Sequence, residues 1–319
     1  MYKYLLLTSR TSRCLKTVCY TISTLFAILL VTGVILDDVS IWKLFSALGE
    51  ELAYIGLTLA LTYLLDPELG ILALASILLS GSLNVFLKYF FNIPRPPPEL
   101  WRVRASGPGF PSGHAQITST FWSTVVVNVR VKYLFTISLV LVASVAYSRI
   151  GLRVHSVSDV VAGVGVGVAL ALAVNALLRY AGFEKTILAV SLLSVLLSYR
   201  NTVFGHESGV SIPLLGLSAS LAVSLPTLKR AMRILKNTSL AERVALLTTM
   251  YTLALTATIV SRSLPLEGRF LAYFTLGVLI TSIPVAWRKI SSLVNTYFKG
   301  KVKSVMRWCS CDSEYTDTV

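Results

Sequence analysis

The chain has 319 residues, of which 55% are hydrophobic and only 14% are charged, and its formal net charge is +14. A soluble domain carries about 25% charged residues. Apolar runs of membrane-spanning length recur from one end of the chain to the other, so the composition excludes a soluble globular domain and predicts a polytopic helical membrane protein. The positive charge lies in short connections between these runs and is not interleaved with aromatic residues on a polar domain, so we expect no nucleic-acid partner.

Ten apolar runs predict an all-α fold of about ten transmembrane helices. In chain order the runs cover approximately residues 19–36, 49–65, 69–91, 113–129, 133–150, 156–178, 186–199, 209–225, 244–261 and 270–287. The seventh and eighth runs are the weakest, and losing both as a pair would leave the orientation of the others unchanged. The spans beyond about residue 182 hold almost no polar residues within the membrane, so we expect them to support the rest of the fold.

The distribution of positive charge predicts the orientation of these helices. With the N-terminus in the cytoplasm, the inner connections and the two termini hold 19 of the 29 Lys and Arg residues. This bias follows the positive-inside rule and places both termini in the cytoplasm. The 37–48 connection, which carries Asp37 and Asp38, is then predicted to be a polar outer loop, and the Pro- and Gly-rich 92–112 connection lies on the same face.

The first of three unusual polar stretches, residues 88–96, follows the third apolar run. Lys88 and Arg95 are seven residues apart, about two helical turns, so they share one face if the helix continues that far. Pro94 and the prolines that begin at Pro96 then end the helix. Two cations at a membrane boundary are also explained by snorkelling anchors, so this stretch alone leaves anchoring and anion binding open.

The second polar stretch, residues 111–114, begins the fourth predicted helix. Ser112 is a good N-cap residue, and a helix N-terminus offers free backbone N–H groups and a positive dipole end. Phosphate binds readily at such a terminus, and Gly113 lets the backbone approach a ligand closely. Taken alone, the stretch is equally a capped helix start with an interfacial histidine, His114.

The third polar stretch, residues 148–159, joins the fifth and sixth predicted helices. His155 and Asp159 have i, i+4 spacing and face the same way on a helix. Asp159 can therefore accept the Nδ1–H of His155, which fixes the tautomer and leaves Nε2 free to act as a nucleophile. An aspartate just inside an apolar span is costly and points to a functional role.

By the parity of the predicted spans, the three stretches reach the same outer face. Three cations, two histidines, a helix N-terminus and a carboxylate then converge there. Cations stabilise the oxygens of a phosphoryl group in transfer, and one histidine can attack while the other protonates the leaving oxygen. This chemistry requires neither cysteine nor an acidic cluster, so we expect no metal and no other cofactor.

Taken together, the three stretches resemble the signature of the type 2 phosphatidic acid phosphatase (PAP2) superfamily, the phosphatases related to vanadium haloperoxidases. The matching segments are Lys88-x6-Arg95-Pro96, Pro111-Ser112-Gly113-His114 and Ser148-Arg149-x5-His155-x3-Asp159. The resemblance covers roughly residues 50–180, and it implies a six-helix phosphatase core to which four further spans are added.

The resemblance also implies a role for each matched residue. Phosphate oxygens would be bound by Lys88, Arg95 and Arg149, with further hydrogen bonds from Ser112 and Gly113. His114 would be the general acid, His155 would form a phosphohistidine intermediate, and Asp159 would orient His155. The residue that matches at Ser148 receives no role.

The expected function is metal-independent hydrolysis of a lipid-linked phosphate at the extracytoplasmic face of the cell membrane. Polyprenyl pyrophosphate is the substrate expected first, and phosphatidate, phosphatidylglycerophosphate, phosphosphingoid lipids and a sugar phosphate are its rivals. The same site can also pass the phosphate to a lipid acceptor. An alternative from another class is a lipid or phosphate transporter on an inactive phosphatase core, although no motif residue is missing and the later spans lack the charges typical of a transport path.

These features divide the chain into four predicted parts. They are a cytoplasmic segment with the first transmembrane helix and outer loop (1–48), the phosphatase core (49–182), additional transmembrane helices (183–289) and a basic cytoplasmic tail (290–319). Cys309 and Cys311 in the tail are most simply idle thiols, with acylation or metal binding as the alternatives, and we expect no disulfides.

Three residues of the 92–112 connection allow two interpretations. Trp101, Arg102 and Arg104 either form an aromatic-basic belt at headgroup level, which we favour, or contact a second phosphate. His206, in a later outer loop, is expected to be an ordinary surface histidine without a partner.

Overall fold

The computed structural model describes the backbone of residues 9–311 and the side chains of residues 16–291. The described residues are mainly helical and contain no strand. The predicted all-α class is therefore confirmed. The pair Cys309 and Cys311 and the side chain of Cys14 lie outside the side chains that are described, and Cys19 is a free, buried thiol.

Twelve α-helices follow one another in the described part of the chain. They are α1 (Ser9–Leu36), α2 (Val39–Ala47), α3 (Glu51–Ala60), α4 (Pro67–Phe91), α5 (Gly113–Val129), α6 (Lys132–Gly151), α7 (Val157–Ala181), α8 (Phe183–Val203), α9 (Ser208–Val223), α10 (Leu225–Lys236), α11 (Leu240–Ser261) and α12 (Leu266–Cys311). A π-helical segment, Leu61–Leu65, extends α3, and a single 3-10 turn, Pro98–Leu100, lies between α4 and α5.

Within the described residues, seven helices are long and apolar enough to cross a membrane, and nine spans result if each of two bent pairs counts as one. The bent pairs are α2 with the extended α3, at 45°, and α9 with α10, at 80°. All ten predicted runs lie on helices. The expected number of spans was higher because it included α5, which has only 17 residues.

The prediction of a loop over residues 37–48 is wrong, because Val39–Ala47 forms α2. Asp38 is the N-cap of this helix, and its Oδ1 accepts from the backbone N–H of Ser40 at 2.6 Å. On the other side, Trp42 and Phe45 are buried. The acidic residues that indicated a loop therefore start a short helix whose apolar face packs into the protein.

The interface between α5 and α7 is unusually close because glycine replaces larger residues there. A Cβ on Gly163 would lie 2.6 Å from the carbonyl oxygen of Ser112, and one on Gly167 would overlap Ser119 Oγ. Small residues four positions apart allow helices in a membrane to approach in this way. The start of α5 is thereby held against the start of α7.

The helices beyond residue 182 do carry polar residues inside the bundle, contrary to expectation. Ser82 of α4 lies within hydrogen-bond distance of Ser194 (2.8 Å) and Ser198 (2.7 Å) of α8, and Ser194 lies 2.7 Å from Ser218 of α9. The amide of Asn201 also donates to the backbone carbonyl of Ser82 at 3.0 Å. Serine is small enough for close helix packing. These four serines, Ser82, Ser194, Ser198 and Ser218, form a serine seam that fastens α8 and α9 to α4.

Candidate active site

The three polar stretches meet at one end of the helix bundle. Arg95 Nη1 lies 2.8 Å from His155 Nε2, which joins the first stretch to the third. The backbone N–H of Ser112 donates to the carbonyl of Asp159 at 2.9 Å, which joins the second stretch to the third. The structure thus brings together residues from Lys88 to Asp159, which are 71 positions apart in the sequence.

His155 and Asp159 contact each other as the sequence predicts, but they do not share a helical face, because His155 precedes the N-cap residue of α7. Ser156 is the N-cap of this helix and forms a capping box with Asp159. Oδ2 of Asp159 accepts from the Ser156 backbone N–H at 2.8 Å and lies 3.4 Å from His155 Nδ1. The helix start therefore fixes the carboxylate, and the carboxylate faces the imidazole.

The contact with Arg95 determines which nitrogen of His155 carries the proton. A guanidinium group has donors only, so His155 Nε2 must accept, and the ring proton is then on Nδ1, facing Asp159. The pKa of His155 is lowered to about 4, chiefly by burial and also by the positive charges of Arg95, Arg149 and Lys88, while the hydrogen bond to Asp159 partly opposes this shift. The imidazole is therefore neutral at pH 7, with the lone pair on Nε2.

Arg95 itself is held by the loop between α4 and α5. Its Nε donates to the carbonyls of Ser106 (3.2 Å) and Gly107 (3.1 Å), and Nη1 also donates to the carbonyl of Val154 at 3.0 Å. Gly109 makes room nearby, because a Cβ there would lie 3.1 Å from Asp159 Oδ2. The Pro- and Gly-rich loop thus aims one cation at the nucleophilic nitrogen.

Two buried donors in the site have no partner within the described residues. They are the Oγ of Ser112 and the Nε of Arg149, whose Nη1 donates to Ser46 Oγ. Ser112 occupies the N-cap position of α5, as expected, but its side chain makes no capping hydrogen bond. Buried donors without partners are costly, and both belong to residues expected to bind phosphate, so an anion would satisfy them.

His114 contacts a residue that the sequence did not single out. Its Nε2 lies 3.2 Å from Oε1 of Glu50, which is the N-cap residue of α3. Because a carboxylate only accepts, Nε2 carries a proton in this contact. The only sequence signal was the Glu50-Glu51 pair at the start of an apolar run, which is otherwise typical of a helix start.

Lys88 also has an acidic partner that was missed. Its Nζ lies 3.4 Å from Oε1 of Glu207, in the connection between α8 and α9. Neither Glu50 nor Glu207 shares a motif or a periodic pattern with the residue that it contacts. Only the folded structure brings these two carboxylates to the site.

The remaining residues of interest lie at the edge of the site. Arg102 is neutralised by Asp37, with contacts of 2.6 Å and 2.5 Å, which ties the loop to the α1–α2 junction. These contacts hold the Asp37 pKa at about 2. Trp101 donates to the carbonyl of Pro96 at 2.8 Å. His206 is not a surface histidine without a partner, because its ring stacks on Tyr89.

In the described part of the chain, no group of three or more His, Cys, Asp or Glu residues is placed so that it could hold a metal ion. The charged and titratable groups of the site are three cations, two histidines and three carboxylates, the last being Glu50, Asp159 and Glu207. All the predicted site residues reach it. They are Lys88, Arg95, Ser112, Gly113, His114, Arg149, His155 and Asp159.

Comparison with known proteins identifies one family. Residues 69–183 match the family model of the PAP2 superfamily. No curated protein and no solved structure matches the chain. The matched segment contains every motif residue of the site, whereas Glu50 and Glu207 lie outside it.

Proposed function

Because the chain belongs to the PAP2 superfamily, whose members are generally phosphatases acting on phosphate esters, we propose that it is a membrane lipid phosphatase with His155 as its nucleophile. The observation that carries this proposal is the position of His155 between Asp159 and Arg95. The aspartate holds the proton on Nδ1, and a cation faces the lone pair on Nε2. A neutral imidazole with a fixed tautomer beside a cationic site is suited to attack on phosphorus.

The reaction proceeds in two displacements. In the first, the lone pair of His155 Nε2 forms a bond to phosphorus while the bond from phosphorus to the leaving oxygen breaks. His114 donates its proton to that oxygen, and a phosphohistidine results. In the second, His114 takes a proton from water, the water oxygen attacks phosphorus, and the bond to Nε2 breaks, which releases inorganic phosphate and restores His155.

The cations of the site stabilise the transferring group. Lys88, Arg95 and Arg149 neutralise its oxygens, and Ser112 Oγ supplies a further hydrogen bond. Arg95 moves from Nε2 of His155 onto a phosphate oxygen as the phosphate enters. The nucleophile is thereby uncovered only when an anion is present to take the guanidinium.

Glu50 assists the general acid in this scheme. Its carboxylate, 3.2 Å from His114 Nε2, favours the protonated imidazole that the first step requires. The second ring nitrogen is then left to donate to the leaving oxygen. Glu50 is a positioning residue, since it acts through His114.

The surroundings of the site favour a lipid substrate. Phe90, Phe91 and Ile93 are exposed apolar residues between Lys88 and Arg95, so an acyl or prenyl chain can lie against them while its phosphate enters the site. We propose polyprenyl pyrophosphate as the first substrate to test. The charge distribution supports a site on the extracytoplasmic face, with both termini in the cytoplasm.

The test is phosphate release by the full-length protein, purified in detergent with EDTA present. A panel of polyprenyl pyrophosphate, phosphatidate, phosphatidylglycerophosphate and sphingoid phosphates identifies the substrate. We expect release from at least one lipid, and none after His155→Ala. Release from none of them refutes the phosphatase proposal, and full activity of His155→Ala refutes the mechanism. Phosphate recovered on an added lipid alcohol instead of in solution identifies a phosphotransferase.

A further inference from the structure

The connection between α8 and α9 brings an acidic side chain into the site from outside the family match. Oε1 of Glu207 lies 3.4 Å from Nζ of Lys88. Both side chains are largely buried, at 18% and 9% exposure. A Cβ on Gly107 would lie 2.7 Å from the same oxygen, so the glycine leaves the space that the carboxylate occupies.

Neighbouring contacts hold this connection over the end of α4. The ring of His206 stacks on Tyr89, with 3.9 Å between ring centroids and 3° between planes. The backbone N–H of His206 donates to the carbonyl of Asn201 at 2.8 Å, and Ser211 Oγ donates to the His206 carbonyl at 2.7 Å. The position of Glu207 is therefore built by the surrounding structure.

The backbone of Glu207 also differs from that of an ordinary helix start. Its φ is 40°, in the left-handed region that residues other than glycine rarely adopt. It is the N-cap residue of α9, yet its side chain makes no capping hydrogen bond. Unfavourable backbone conformations cluster at functional sites, and here the unusual residue directs its carboxylate to Lys88.

We propose that Glu207 is a substrate-displaced counter-ion that sets the affinity of the site for phosphate. This inference rests on the proposed function, in which Lys88 binds a phosphate oxygen. In the free protein the Glu207 carboxylate is paired with the ammonium group of Lys88, and an incoming phosphate must take its place in that ion pair. The carboxylate then stays nearby and repels the phosphate, which weakens binding of the inorganic product and speeds its release.

This role also explains why α8 and α9 are fastened to α4 by the serine seam. The seam at Ser82, Ser194 and Ser218 fixes the two helices whose connection carries Glu207. The additional helices thereby complete the active site, as well as supporting the fold.

The experiment measures binding of inorganic phosphate and of orthovanadate to the full-length protein by calorimetry in detergent. Glu207→Gln removes the charge and keeps the shape, and we expect the Kd for both anions to fall about tenfold. The matched control is Glu99→Gln, which removes one exposed carboxylate from the loop between α4 and α5, and we expect its Kd to stay within about twofold of the wild type. In hydrolysis assays, inorganic phosphate should inhibit Glu207→Gln more strongly than the wild type.

Two further variants keep the inference testable if Glu207→Gln does not fold. Glu207→Asp shortens the side chain, so the carboxylate keeps its charge but lies farther from Lys88. We expect anion binding to become about two- to fivefold tighter. In a Lys88→Met background, Glu207→Asp should change the Kd less, because the shared ammonium group is gone. Unchanged or weaker anion binding in the Glu207 variants overturns the counter-ion role. If the wild type binds neither anion and releases phosphate from no lipid, it is the proposed function that fails.

Discussion

Asp159→Asn tests the central pair of the site. The substituted amide keeps the size of the side chain, and its oxygen can still accept from the Ser156 backbone N–H. It removes the negative charge that faces His155 Nδ1. The variant therefore separates the electrostatic role of Asp159 from its role in starting α7.

The expected loss follows from the geometry of the pair. A hydrogen bond to a charged group contributes about 1.5–3 kcal/mol. Attack by Nε2 also leaves the ring positively charged, and at the 3.4 Å separation of Nδ1 and Oδ2 the attraction to a carboxylate is about 5 kcal/mol at an effective dielectric constant of about 20. The contact with Arg95 still favours the required tautomer in the variant. We therefore expect the activation free energy to rise by about 2–5 kcal/mol, which lowers kcat by about 30-fold to several thousand-fold.

The assay is steady-state phosphate release in detergent with EDTA, together with thermal unfolding. Asp38→Asn is the matched control, because Asp38 also accepts backbone N–H groups at a helix start but belongs to α2. We expect similar small changes in Tm for both variants and loss of kcat only for Asp159→Asn. A folded Asp159→Asn protein within about fivefold of the wild-type kcat would refute the reasoning, since even one hydrogen bond to a charged group is worth more.

Three other predictions address the nucleophile, the general acid and the helix packing. Because the His155 pKa is lowered to about 4, its lone pair should persist as pH falls from 8 to about 5 and be lost near pH 4. Nitrogen NMR of the imidazole, assigned with His155→Gln, checks this, and a midpoint near the ordinary value of about 6.5 would contradict it. Glu50→Gln should lower kcat about tenfold, most for leaving groups of high pKa, since His114 protonates the leaving oxygen; equal losses for all leaving groups would indicate a purely structural role. Gly167→Val should lower the Tm and the expression yield strongly, because its Cβ would overlap Ser119 Oγ, whereas Gly165→Val, with open space around it, should not.

The motif residues could be placed from the sequence because their geometry is local. The four-residue spacing of His155 and Asp159 predicts their contact, although His155 directly precedes the N-cap residue of α7 and only Asp159 lies in its first turn. Ser112 and Gly113 stand at the start of α5, as their residue types predict. Parity of the helices then brings the three stretches to one end of the bundle. These steps depend on chain order and local geometry. Arg95 is the exception, because α4 ends at Phe91 and hydrogen bonds to the carbonyls of Ser106, Gly107 and Val154 place its side chain.

The partners outside the motifs could not be placed in this way. Glu50 precedes His114 by 64 positions, and Glu207 follows Lys88 by 119. An isolated acidic residue in a short connection carries no periodic signal, and its partner is decided by how whole helices pack. The same limit affected α2, where Asp37 and Asp38 suggested a loop although Asp38 is a helix cap.

The serine seam was missed for a different reason. Serine changes the mean hydropathy of a long apolar run only slightly. Ser194 and Ser218 therefore do not stand out when apolar runs are identified by their mean hydropathy. Their alignment depends on the mutual rotation of α4, α8 and α9, which the sequence does not reveal. The polar character of the later helices therefore became visible only in the interior contacts.

The charges of the site balance in the free protein, and this balance indicates how substrate enters. Three cations, Lys88, Arg95 and Arg149, are set against three carboxylates, Glu50, Asp159 and Glu207. A strongly cationic buried site would be costly without an anion, and the carboxylates lower that cost. Asp159 and Glu50 face histidines, so a phosphate does not have to displace them, whereas Glu207 faces a cation that the phosphate requires. When substrate enters, its phosphate therefore replaces the Glu207 carboxylate as the anion paired with Lys88. The affinity of the site for phosphate then depends on Glu207.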